Sequence, residues 1–337
     1  MASITDVAET ANVSCMTVSR VLRGKGLVKP DTKQRVLKAM EQHGYVPSNA
    51  ARAMRTNDGL RKKESTCFGL IFGADVCAAT SFFCDIAKSA EEEAARNGLC
   101  PIQVNWQETS EETWPRLQTI LSIQGLCGLI LVGQFSEEVV RNLQCKVENV
   151  VIVDGPCSPY LLNVGSVEAD NFGGAKLALG HFFESGVKKV LVLSGVDKEH
   201  YFSQALQAAS LFYRDKFDAI DIEYASLKGE SARKRILDLW ESGRSYEGVF
   251  TDDEMAIGVL RAMSEIGKSV PKDVKVIGFD DVPYASLTVP ALTTIGIDMM
   301  QLGTEAVKTL VSMIRGQKDV AMVKKLVRAR LVIRESA

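Results

Sequence analysis

From Cys67 onward, short apolar runs alternate with amphipathic helical stretches, and this rhythm constrains the fold more than any other feature of the chain. CFGLIFG reads as a first strand, and Phe82 to Asn97, with Gly98 behind it, as a first helix. PIQVN, CGLILV and NVVIVD follow as strands, separated by helices around Glu111 to Ser122 and Ser136 to Leu143. The pattern continues through helix Asn171 to Ser185, strand KKVLVLSG, helix Tyr201 to Lys216, strand IDIEY, helix Glu230 to Ser242, strand GVFT, helix Asp253 to Ile266 and strand VKVIGFD. Strands that alternate with helices in this way predict parallel α/β units. The chain makes roughly two such sets, with its middle near Asp154 to Asp170. An amphipathic helix over Met299 to Arg315 and a strand-like LVRARLVI complete the pattern.

The stretch ahead of this body, ITDVAETANVSCMTVSRVL from Ile4 to Leu22, has a different character. Ile4, Val7, Ala8 and Ala11 recur at helical spacing, and Val18, Val21 and Leu22 mark a second helix. Between them Asn12-Val13-Ser14 is a tight polar turn, with Ser14 placed to cap the second helix. Two short helices meeting at a corner are what a helix-turn-helix needs. Cys15, Met16 and Thr17 follow the cap, and Ser19 and Arg20 come within the next turn, on the face that would enter a DNA major groove. A third helix closes the small core, with Pro30 in its first turn, Val36, Leu37 and Met40 inward and Gly44 after its end. The competing reading is an ordinary three-helix domain with a solvated basic face.

Ser48 to Arg55, SNAARAMR, reads as a helix too short to persist alone in water, so it can be ordered when docked and disordered when free. Met54, flanked by Arg52 and Arg55, suits wedging a minor-groove base step while the cations hold phosphates. A plain linker helix is the alternative. Asp58 to Ser65, DGLRKKES, is a polar connector.

Charge separates the same two regions. The first 66 residues carry twelve Lys/Arg against six Asp/Glu, a balance of +6, and the remainder 28 against 36, a balance of −8. A basic head on an acidic body is the footprint of a protein that touches a polyanion at one end. No apolar run approaches the ~20 residues of a membrane span and no hydrophobic signal segment opens the chain, so a cytoplasmic location is expected. The eight cysteines lack a CxxC pair and read as reduced core thiols. With three histidines and no HExxH, metal chemistry has no support, and no cofactor is expected.

The motif DVAETANVSCMTVSRVL, the third helix, YVPSNAARAMR and the α/β body occur in the order and at the spacing of the lactose/galactose repressor family of bacterial transcription regulators, which this chain resembles over essentially its whole length. The resemblance implies a helix-turn-helix head over residues 1–46, a hinge helix and linker over 47–66, and a two-lobed effector-binding and dimerisation body over 67–337. It implies two Rossmann-like lobes of the type I periplasmic sugar-binding fold. By position, Cys15, Met16 and Arg20 would read bases, with Ser14, Thr17, Ser19 and Arg55 beside them on the DNA, and Ala51 and Met54 would make the hinge contacts. Met54 replaces the family's usual leucine wedge, and Lys29 stands where a serine usually caps the third helix. Cys15 and Met16 should read apolar features such as thymine methyls, leaving Arg20 as donor to a guanine. A homodimer on a palindromic operator is expected, because one helix-turn-helix reads few bases and no tetramerising leucine heptad follows LVRARLVI.

In open α/β sheets ligands bind beyond the carboxyl ends of strands. That rule places Phe82, Phe83, Asp154, Asp252 and Asp280 near one interlobe cleft. Each aspartate closes an apolar strand, where a carboxylate can accept hydroxyl hydrogen bonds from a sugar-like ligand; alternatively, such aspartates merely cap the next helix. Phe83 and Trp106 could stack on a ligand or belong to the core. The family commonly supplies an arginine from the helix that here reads SQALQAASLFYRD, and the matching position is Gln207. Without that guanidinium the cleft is acidic, which disfavours an anion and favours a neutral polyol, sugar or nucleoside, or a cation.

Catalysis finds no support. Asp252-Asp253 and Asp280-Asp281 are pairs in sequence only, and GxGxxG, a Walker lysine, GxSxG and a Ser/His/Asp set are all missing. The expected function is therefore a ligand-switched, sequence-specific transcription regulator, most often a repressor in the family. The competing readings are a solute-binding protein, a sugar-processing enzyme, and a regulator whose body takes a protein partner or no effector.

Overall fold

The computed structural model describes residues 4–13, 17–18, 21, 30–43, 67–73, 81–106, 113–158, 160–317 and 324–337. The chain divides into two compact units, Met1–Glu64 and Ser65–Ala337.

In the first unit, helices α1 (Ile4–Thr10) and α2 (Pro30–Gln42) enclose a core of Val7, Ala8, Ala11, Val18, Val36 and Ala39, with Thr17, Val18 and Val21 helical between them. Asn12 turns the chain with φ 50°, a left-handed conformation that asparagine tolerates better than most side chains. Val13 N then donates to Ala8 O at 2.9 Å. Thr10 Oγ1 and His43 Nε2, 2.6 Å apart, join the end of α1 to the residue after α2. One inward assignment fails: Leu37 is 48% exposed, and Ala39 is buried instead. Val36, Ala39 and Met40 share a face at i, i+3 and i+4, whereas Leu37 is turned about 100° from Val36 around the helix.

The second unit contains two six-stranded sheets. The first sheet is built from β1 (Cys67–Phe72), β2 (Cys100–Asn105), β3 (Leu126–Val132), β4 (Val150–Val153), β5 (Val164–Ala169) and β11 (Lys324–Val327). The second contains β6 (Lys189–Ser194), β7 (Ala219–Tyr224), β8 (Gly248–Phe250), β9 (Lys275–Asp280), β10 (Thr293–Gly296) and β12 (Arg330–Val332). Their orders are β11-β5-β4-β3-β1-β2 and β12-β10-β9-β8-β6-β7. Every pairing is parallel except that of β12 with β10.

The intervening helices are α3 (Ser81–Arg96), α4 (Thr113–Leu121), α5 (Glu137–Gln144), α6 (Asn171–Glu184), α7 (Tyr201–Tyr213), α8 (Gly229–Glu241), α9 (Asp253–Glu265) and α10 (Met299–Ile314). The chain passes between lobes after β5, after β10, and between β11 and β12. LVRARLVI is thus two strands rather than one: Arg328 and Ala329 separate a strand that pairs with β5 from one that pairs with β10.

Strands β5 and β10 escape the apolar-run reading because their buried faces carry polar atoms whose hydrogen bonds are met within the fold. Ser166 Oγ donates to Glu168 Oε1 at 2.8 Å, and Thr294 Oγ1 donates to Asp253 Oδ1 at 2.6 Å. Phe68, Leu70 and Phe72 of β1 pack with Ile86, Ala90 and Ala94 of α3 in a core that continues through Phe250, Phe279 and Ile295 of the second lobe. Each large side chain buried this way contributes about 1.5–3 kcal/mol. Helix α10 returns to the first lobe and packs on α3 at Gly303, where a Cβ would stand 2.3 Å from the Ile86 carbonyl oxygen.

Candidate functional site

The carboxyl ends of both sheets supply one acidic group of side chains. Asp154 follows β4 with φ 47°, and Asp280 ends β9 with φ 108° and Asp281 at φ 57°. Non-glycine residues at positive φ are held there against local strain and cluster at functional sites. Here the clamp is visible. Asp253 Oδ2 accepts from Val282 N at 2.9 Å, its Oδ1 accepts from Thr294, and Asp281 accepts from Arg334 Nη2 at 2.6 Å with Arg330 Nη2 at 3.6 Å. Gly278 makes room for this clamp, since a Cβ there would lie 1.9 Å from Asp253 Oδ1. Asp253 and Asp281 therefore position the turn that carries Asp280.

Asp252 has a double character. Its Oδ1 accepts from Met255 N at 2.9 Å and caps α9, so the capping reading holds for one oxygen. Its Oδ2 and the neighbouring Thr251 Oγ1 are buried without a hydrogen-bond partner among the described residues. Native proteins rarely leave buried polar atoms unsatisfied. Asp154 and Asp280 cap no helix: the turn after Asp280 has Val282 at its N-cap position.

Sequence reasoning passed over Tyr201. Its hydroxyl donates to the main-chain oxygen of Asp154 at 2.6 Å, a bond from the first residue of α7 in the second lobe to the strand end of the first. A signal was present, because Tyr201 opens the helix after strand β6 and so lies at that sheet's carboxyl edge. Burial, then the negative charges of Asp154 and Asp280, push the Tyr201 phenol well above its ordinary range, so it remains a donor.

The carboxyls are displaced upward as well. Burial raises Asp154 to about 6, opposed by the Tyr201 hydrogen bond and reinforced by Glu168. Burial raises Asp252 to about 6 against the hydrogen bond from Met255 N. Burial raises Asp253 to about 7 despite the bonds from Thr294 and Val282, with Asp252 and Asp281 adding to the effect. Asp280 is raised too, by burial first, followed by the charges of Asp253, Asp252 and Asp154. Its side chain is half-buried at the end of the strand. The site can offer proton donors and acceptors together, and it repels an anion.

The remaining predicted positions divide. Phe82 lies in the first turn of α3. Phe83 packs edge-to-face on Phe72 with ring centroids 6.4 Å apart, and Trp106 is 5% exposed within the first-lobe core, where its Nε1 has no hydrogen-bond partner among the described residues. Gln207 Nε2 donates to Lys198 O at 2.8 Å and to Tyr224 Oη at 3.1 Å, so its amide donor holds the loop before α7 and the end of β7 rather than joining the aspartates. In the head, Thr17 is helical and half-buried. Ser14, Cys15, Met16, Ser19, Arg20, Ala51, Met54 and Arg55 lie outside the described residues, as does Lys29. Among the described residues, no group of three or more His, Cys, Asp or Glu could hold a metal ion, and no helix is long and apolar enough to cross a membrane.

A helix-turn-helix head joined to a two-sheet α/β body with a polar strand-end site defines a DNA-binding regulator with a periplasmic-binding-protein-like domain. Residues 3–48 match the model for bacterial regulatory proteins of the lacI family, and residues 179–337 match the periplasmic binding protein-like domain. The ribose operon repressor of Bacillus subtilis (strain 168) is 31% identical over 322 residues, covering 94% of this chain and 93% of that protein. In structure, the lac repressor dimer bound to operator and the anti-inducer ONPF superposes with a TM-score of 0.73 at 23% identity, covering 99% of this chain and 98% of that one. The transcriptional regulator CelR–cellobiose complex gives 0.70 at 23% identity over 100% of both chains. The chain belongs to the lacI family of transcriptional repressors, and hence to regulators rather than enzymes.

Proposed function

We propose that this repressor binds a palindromic operator as a homodimer and that a small, neutral, hydroxyl-rich ligand in the cleft between the two lobes switches its affinity. The observation that carries this reading is the convergence of Asp154 and Tyr201, from different lobes, with Asp280 and the unpartnered Asp252 Oδ2. A sugar-like molecule both donates and accepts hydrogen bonds, as a set of partly protonated carboxyls requires. The relative named for a ribose operon and the solved cellobiose complex favour the same ligand class. Ligand contacts to both lobes would stabilise one lobe arrangement over another, and a ligand shifts an equilibrium only by such differential binding. The shift would reach DNA through Ser48 to Arg55, while Arg20, Cys15 and Met16 supply base preference and the surrounding cations supply salt-sensitive affinity.

A second reading, a cationic ligand at the same site, is favoured by one observation. None of the groups that shift the four aspartates is cationic, and segments 74–80 and 107–112, which follow β1 and β2, contain no Lys or Arg but include Asp75, Glu108, Glu111 and Glu112. Calorimetric titration of the full chain with pentoses, hexoses, nucleosides and their amino derivatives tests both. Binding of a neutral member that also changes operator affinity supports the first reading. Binding restricted to protonated amines supports the second, and binding of none removes both.

A further inference from the structure

Among the described residues, two of the cysteines stand side by side on neighbouring strands. Cys67 is the first residue of β1, and Cys100 the first residue of β2, the edge strand beside it; the two are direct register partners in the parallel ladder. Partners in register project from the same face, and that face is the one toward α4, because a Cβ on Gly69 would meet Ile120 Cγ2 at 3.4 Å. Strand neighbours lie about 4.8 Å apart, within the Cα separation a disulfide accepts. Cys67 is buried and Cys100 exposed. A third thiol, Cys127, is buried nearby, but its Sγ donates to the Cys67 main-chain oxygen at 2.9 Å, and its strand aligns Leu126, not Cys127, with Cys67.

We infer that Cys67 and Cys100 form a reversible, peroxide-driven disulfide that ties the entry strand of the body to its edge strand. The exposed Cys100 thiolate attacks one oxygen of hydrogen peroxide, the O–O bond breaks, and Cys100 becomes a sulfenic acid with release of water. The Cys67 sulfur then attacks the Cys100 sulfur while its thiol proton passes to the departing oxygen, the S–O bond breaks and that oxygen leaves as a second water. Two thiols and one peroxide thus give one disulfide and two waters. Side chains directly opposite on parallel strands start somewhat further apart at Cβ than a relaxed disulfide prefers, and strained, accessible disulfides are the readily reduced ones. Position gives the bond a consequence: Cys67 directly follows the linker and lies within three residues of the boundary between the two compact units.

The test treats the full chain with hydrogen peroxide, alkylates it, and maps peptides without reduction. The expected result is a Cys67–Cys100 crosslinked peptide, parallel loss of alkylation at both residues, recovery with dithiothreitol, and a rise in Tm on oxidation. Cys100→Ser, at an exposed position, should abolish the crosslink and the Tm rise, whereas Cys145→Ser, at another exposed cysteine, should leave both. Cys67→Ala avoids burying a hydroxyl and should reproduce the Cys100→Ser result. A crosslink to Cys127, or irreversible oxidation of Cys100 with Cys67 still fully alkylated, would overturn the inference.

Discussion

The Tyr201 hydroxyl donates to the Asp154 main-chain oxygen at 2.6 Å, so a phenol at the start of α7 in the second lobe is fastened to the end of β4 in the first. A neutral hydrogen bond of this kind contributes roughly 0.5–1.5 kcal/mol net. Tyr201→Phe should therefore weaken effector binding by about 2- to 10-fold if the bond belongs to the liganded arrangement. Calorimetry and operator binding with and without effector provide the measurement. Unchanged affinity together with an unchanged effector response would assign the bond no part in the switch.

Asp252 uses its two oxygens differently, and two substitutions separate them. Asp252→Asn keeps an oxygen for Met255 N and removes the burial cost of the carboxylate, so stability should be retained near about pH 4 and rise above the parent's toward about pH 8 while ligand affinity falls. Asp252→Ala should add the loss of the cap, about 1 kcal/mol, to the same loss of binding. Denaturant melts and ligand titrations on both variants distinguish the roles; a normal affinity in Asp252→Asn would reduce this residue to a helix cap.

The buried aspartates give stability a pH dependence of definite sign. Their folded-state values lie above the ordinary 3.8, at about 6 for Asp154 and Asp252 and about 7 for Asp253, with Asp280 raised as well. Between the unfolded and folded values the native state holds more protons, so these groups cost stability as pH rises through that window, and the cost vanishes below it. Each unit corresponds to about 1.4 kcal/mol per group. Asp280→Asn should thus be more stable than the parent at about pH 8, with the advantage shrinking toward about pH 4. An advantage independent of pH would mean that Asp280 is already ionised without penalty.

In the head, Arg20→Ala should lower affinity for the preferred operator by about 1–3 kcal/mol and relax selection at one base pair, with little effect on random duplexes. Lys29 adds a cation to the basic head, and if its ammonium reaches a phosphate, substituting it should weaken all duplexes nearly equally and flatten the salt dependence. Equal losses on every sequence for Arg20→Ala would remove it from base readout.

Strand-helix alternation from Cys67 was enough to give parallel α/β units, and the small apolar residues Val7, Ala8, Ala11 and Val18 were enough to give a helical corner, because both signals are local periodicities. The same local rule placed Asp154, Asp252 and Asp280 at strand ends. It missed β5 and β10, whose buried Ser166, Thr293 and Thr294 read as polar until their partners, on the same strand for Ser166 and 41 residues away for the two threonines, are known. It also misjudged Leu37, since inward and outward neighbours differ by one residue of helical phase.

What the linear order determined was the element types, the basic head and the acidic strand ends, since these depend on residues close together in the chain. What the tertiary structure alone decided was which of those ends meet. The lobe crossings bring Tyr201 to Asp154 across 47 residues and Arg334 to Asp281 across 53, and the sheet order within the second lobe brings Asp253 to Thr294 across 41. Contacts at such separations leave no periodic mark, because they arise from sheet order and chain return rather than from the conformational preference of any one segment.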